Sequence, residues 1–143
     1  MKRKLTFGLI ALFVGLSCLC LTLTGCGKKA AQPVTVLLDG EAWDGTAIES
    51  GAEDDLRVFI TLDGAALIDL PFSEARTVTV IQPDVGENTI DFTGDSVVMA
   101  HADCENQDCV DMGAVTRDNL ELRVMGGFIV CLPHRLSVEV RSP

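Results

Sequence analysis

Leu56-Arg57-Val58-Phe59-Ile60-Thr61-Leu62-Asp63-Gly64-Ala65-Ala66-Leu67-Ile68-Asp69-Leu70 decides the fold class. Residues 56–62 are rich in β-branched and aromatic types, which suit a pleated, half-buried surface. Residues 65–70 are a second apolar run, and Asp63-Gly64 alone separates the two. A two-residue type I′ turn needs positive φ at both central positions, and Asp-Gly tolerates that at small cost. The stretch therefore predicts two antiparallel strands joined by a tight hairpin.

Working outward, the same signals recur. Residues 34–38 form a β-branched run that stops at Asp39-Gly40, and Thr77, Val78, Thr79, Val80 and Ile81 carry a strand over residues 76–82. Residues 83–88 read as a loop. Residues 89–92 and 96–100 read as strands across Thr93-Gly94-Asp95. Residues 120–124, 128–132 and 136–141 complete the set, with breaks at Gly126-Gly127 and Pro133-His134. Residues 41–55 are acidic, small and Gly-containing, and read as a solvated loop. Its run Glu53-Asp54-Asp55 lacks the alternating oxygen ligands of a calcium loop. Short strands between Gly, Asp and Pro turns, with no long helical stripe, predict an all-β domain over residues 34–143.

The N-terminus is of another kind. Lys2, Arg3 and Lys4 precede an almost unbroken apolar run from residue 5 to 23, the pattern of an export signal over residues 1–25. Leu23-Thr24-Gly25-Cys26 looks like a bacterial lipobox, so Cys26 is the expected lipidation site, with residues 26–33 as the lipidated cysteine and tether. At about 0.8 kcal/mol per buried methylene, several acyl chains anchor a protein stably where one does not. Of 11 basic residues three lie in the leading segment, while all 21 acidic residues follow it. The remainder holds 8 basic against 21 acidic residues, a net charge of −13. Nucleic-acid binding requires Lys and Arg to displace counterions, so this charge argues against a nucleic-acid partner.

Chemistry is confined to Cys104, Cys109, Cys131 and His134, which hold the only three cysteines beyond Cys26. Outside the cytoplasm, disulfides are permitted. A bridge between Cys104 and Cys109, closing a short polar loop, would stabilise by about 2 kcal/mol. Pairings of either residue with Cys131 are alternatives. Cys104-x4-Cys109 with Cys131-x2-His134 also supplies three thiolates and an imidazole, a ligand set for zinc or another soft metal. Reduced or redox-active thiols are the third reading. A Rieske centre needs two histidine ligands, and Asp111 stands where the first half of that motif requires one. Ser137 lies near His134, but no nucleophile elbow or phosphate loop accompanies it. A cysteine inside Phe128-Ile129-Val130-Cys131-Leu132 reads more simply as a core residue, with His134 in the turn beyond Pro133.

His101-Ala102-Asp103-Cys104, Cys109-Val110, Gly113 and the run Gly127-Phe128-Ile129-Val130-Cys131-Leu132-Pro133-His134-Arg135-Leu136-Ser137-Val138-Glu139-Val140 resemble the NusG domain II family of small bacterial proteins. The resemblance spans roughly residues 56–141. It implies a small barrel-like β domain similar to the insert domain of some NusG factors, in an exported or membrane-attached setting near envelope redox proteins. It does not carry over a role in transcription, since the export signal and the acidic charge oppose one. The expectation is a lipoprotein on the extracytoplasmic face of the cell membrane. It would act as a non-catalytic accessory or interaction module for an envelope protein, with a redox or metal-carrying protein as the alternative.

Overall fold

The computed structural model describes residues 33–48 and 55–143. The export segment, Cys26, the tether as far as Gln32, and Glu53 and Asp54 lie outside the described residues. Ten strands and one helical turn follow in order: β1 (Thr35–Leu38), β2 (Glu41–Ala42), β3 (Arg57–Leu62), β4 (Ala65–Pro71), β5 (Ala75–Gln82), β6 (Gly86–Thr93), β7 (Ser96–Ala102), α1 (Asp108–Asp111), β8 (Val115–Thr116), β9 (Phe128–Cys131) and β10 (Leu136–Arg141). They form two antiparallel sheets, β2-β1-β5-β6-β7-β8 and β4-β3-β10-β9. The all-β expectation holds. The strands do not close into one barrel, because each sheet keeps its own two edges.

The deciding hairpin forms as read: Leu62 pairs with Ala65, and Asp63 and Gly64 take φ of 51° and 79°. Strand alternation then builds the core. In β3, Val58, Ile60 and Leu62 point inward; in β5, Val78 and Val80 do, while Thr77 and Thr79 face outward to bond Asp91 and Thr89. Residues of both sheets join one hydrophobic cluster that includes Phe72, Ile90, Met99, Ile129 and Leu136. Each fully buried side chain of this kind contributes about 1.5–3 kcal/mol.

Three expectations change. The β5–β6 loop is only residues 83–85, since Gln82 pairs with Gly86; Asn88 is thus a fully buried strand residue. Asp55 is buried rather than solvated: its carboxylate accepts from the Ser73 N–H and hydroxyl and pairs with Arg117. Residues 120–124 form turns instead of a strand. Asn119 accepts from the Thr116 N–H at 2.8 Å and donates to the Ala114 carbonyl, while its own carbonyl accepts from Leu122 and Arg123 N–H. Those local bonds occupy the backbone groups that a strand ladder needs.

Candidate functional site: three sulfurs beside a histidine clasp

β7 carries a bulge that decides where Cys104 points. Thr89 pairs with His101 and Ile90 with Met99, so Ala100 is the extra residue. A bulge shifts the strand's phase by one. Val97 and Met99 face the core before it, and Ala102 and Cys104 face the core after it, with His101 and Asp103 outside.

The loop beyond β7 is folded back by Gln107. Its backbone is left-handed (φ 56°), and its side-chain amide donates to the Ala102 carbonyl at 2.7 Å and to the Cys104 carbonyl. Its own carbonyl accepts from the Val110 and Asp111 N–H groups, starting the single turn α1. That turn buries Cys109. Cys131 arrives from the other sheet, at the inward-facing end of β9, paired with Leu136.

The three sulfurs converge. Cys104 Sγ lies 3.9 Å from Cys109 Sγ and 3.8 Å from Cys131 Sγ, and all three fall within 4.8 Å of one another. All are free thiols and buried. The Cys104–Cys109 pair considered for a disulfide stands at nearly twice the roughly 2.05 Å bond length. Burial, reinforced by Cys131 and then Cys104, pushes the Cys109 thiol up to about 12. A thiol so protonated is not a ready nucleophile. A cleft of about 30 Å³ adjoins Cys109 and Cys131, lined also by Asn106, Asp108, Leu132 and Pro133. It has room for a water or an ion; ligand pockets run to hundreds of Å³.

His134, the fourth residue of the sequence motif, does not join the sulfurs. It is buried, its Nδ1 is 2.7 Å from Asn88 Oδ1, and its Nε2 faces Asp103 Oδ1 at 3.3 Å. Its carbonyl accepts from the buried Gln82 amide at 3.0 Å, and Asp103 Oδ1 accepts from the Glu87 N–H. Gln82 and Asn88 come from β5 and β6 and Asp103 directly follows β7, whereas His134 lies in the turn between β9 and β10. The histidine is therefore a polar clasp between the sheets. Of the four residues in the sequence motif, the three cysteines lie together and the imidazole points elsewhere. That direction removes a Cys131–His134 thiolate pair, since both ring nitrogens are engaged. Ser137 Oγ is bonded to Thr61 Oγ1 at 2.7 Å, and His101 is exposed.

Sequence reasoning missed Gly86, Asn88, Gln82 and Gln107. Only Gly86 carries a signal, and its reason is spatial: a Cβ there would overlap the His134 ring and the Asp103 carboxylate.

The family model for NusG domain II matches residues 9–143. The chain belongs to the NusG domain II family. No curated protein gives a match. Among solved structures, the Lin0431 protein from Listeria innocua is similar at a TM-score of 0.52 and 23% identity, over 62% of this chain and 98% of that one. A DUF1312 family protein from Enterococcus faecalis V583 is similar at a TM-score of 0.52 and 20% identity, over 60% and 95%. At these identities the likeness establishes the NusG domain II fold and nothing about activity.

Proposed function

We propose that this NusG domain II protein is a lipid-anchored, extracytoplasmic, non-catalytic module that docks on an envelope protein through the loop between β8 and β9. The observation that carries this reading is the way Arg123 holds that loop. Its guanidinium donates to the carbonyls of Met112, Ala114 and Gly126 at 2.9–3.1 Å, with longer bonds to Gly113 and Phe128. The residues on either side are thrown outward: Leu122 is 84% and Val124 103% exposed, and Met125 and Phe128 are also exposed. Scattered exposed apolar residues are ordinary, but a fixed loop that presents several together marks an interaction surface. The net charge of −13 beyond the leading segment opposes insertion of this loop into anionic lipid, which favours a protein partner. An envelope redox protein is the first partner to test, on the setting that the resemblance implies.

The anchor rests on the lipobox-like Leu23-Thr24-Gly25-Cys26. Metabolic labelling with an alkyne fatty acid should tag the full chain and fail with Cys26→Ser; persistent labelling of that variant would remove the anchor from the reading. A photo-reactive residue at position 124 in intact cells should give one discrete adduct that a control at Asp95 does not. Leu122→Asp should abolish it. Equal adducts from both positions would show that the loop has no special role.

A further inference from the structure

We infer that Cys104, Cys109 and Cys131 form a binding site for one thiophilic d10 cation, held by three thiolates with its remaining position open to the adjoining cleft. The first support is metric. A tetrahedral ion bound to sulfur at about 2.3 Å sets its sulfurs about 3.8 Å apart. Cys104 Sγ stands 3.9 Å and 3.8 Å from the other two, so a small closure of the third edge completes the face of a coordination tetrahedron.

The second support is how the thiols are assembled. They come from three separate elements, and two of the three are aimed by irregular backbone: the Ala100 bulge for Cys104 and the left-handed Gln107 for Cys109. Simple core filling needs neither device, because regular strand alternation delivers Val or Leu to a core without them.

The third support is access. The cleft of about 30 Å³ reaches Cys109 and Cys131, and Asn106 and Asp108 give it polar walls. A water there supplies the fourth ligand of a tetrahedral Zn(II), whereas Cu(I) is satisfied by the three sulfurs. Binding exchanges each thiol proton for a metal–sulfur bond, with three protons released to solvent and no change of oxidation state. The ligand chemistry is thus a soft cation on a trithiolate, and His134 takes no part.

The test uses the full-length chain in detergent, isolated anaerobically under reducing conditions and titrated separately with Zn(II) and with Cu(I), each against a competing chelator. Native mass spectrometry should show one ion per chain with at least one of the two metals, and the preferred metal identifies the source. Co(II) as a probe should give a sulfur-to-cobalt charge-transfer band, which Cys131→Ser weakens by about a third or more. The wild-type masses decide independently of how that variant folds. A chain two hydrogens light as recovered from the cell envelope overturns the inference, because a bridge consumes two of the three ligands. Failure of both metals to bind at stoichiometric amounts overturns it equally.

Discussion

Two short segments of this chain each serve two sites, and the division between them is the main lesson of the structure. Asp103 and Cys104 are consecutive, yet Asp103 turns out toward His134 while Cys104 turns in to the sulfurs. Cys131 and His134 sit three residues apart, yet Cys131 joins the sulfurs while His134 joins Asn88. The clasp is closed by hydrogen bonds between the described residues and stabilises the fold unaided. The sulfur trio makes only weak contacts, S···S and from the Gln107 amide to Cys104 Sγ, and is completed by what binds it.

The largest way to break the comparison is Gly86→Ala. The new Cβ would meet the His134 ring and Asp103 carboxylate, at a φ of 154° that L residues avoid. Overpacking and strain together should cost about 4 kcal/mol in urea unfolding. His134→Ala comes next. It leaves the Asn88 carbonyl oxygen, in a fully buried residue, without its ring donor and opens a cavity between the sheets, for about 3 kcal/mol. If His134→Ala cost less than 1 kcal/mol, the clasp would be incidental.

How much of this was legible beforehand follows from range. The Asp63-Gly64 hairpin and the Thr-Val alternation of β5 depend on neighbours in sequence, and both form as the sequence predicts. Asn88 is of a residue type that disfavours strands, and a partner 46 residues away outweighs that preference. The strand expected at residues 120–124 had the right alternation, but Asn119 and Arg123 tie the backbone locally. Cys131-x2-His134 had ligand spacing, but spacing does not set direction. Pro133 ends β9, and the turn then carries the imidazole to the other sheet's polar groups. The Ala100 bulge has no sequence mark at all, and on it depends which of Asp103 and Cys104 is inside.

A third buried polar group sharpens the clasp side through pH. Burial disfavours the charged form of Asp55, but the hydrogen bonds from Ser73 and Arg117 outweigh it and hold the carboxyl below its ordinary value of 3.8. A depressed folded-state pKa gives stability that is complete above the unfolded value and is lost as pH falls through the folded one. Stability should therefore drop below about pH 4 more steeply in the wild type than in Asp55→Asn. Parallel acid limbs would mean that the buried carboxylate contributes no charge-dependent stability.

The smallest effect should come from Cys131→Ala in metal-free protein. Loss of one buried sulfur removes weak contacts and little volume, so about 1 kcal/mol is expected, at the low end for large-to-small core changes. The comparison then turns on the ion. A ligand that binds only the folded chain raises its stability by about 2.7 kcal/mol at a hundredfold excess over Kd. Zn(II) or Cu(I) should therefore raise the melting temperature of the wild type and move Cys131→Ala far less, while His134→Ala, though weaker at the start, should recover by nearly the full wild-type increment. Equal increments in wild type and Cys131→Ala would mean that the ion binds elsewhere. A vanished increment in a folded His134→Ala would tie the two sites together, and the division drawn between Asp103 and Cys104, and between Cys131 and His134, would have to be given up.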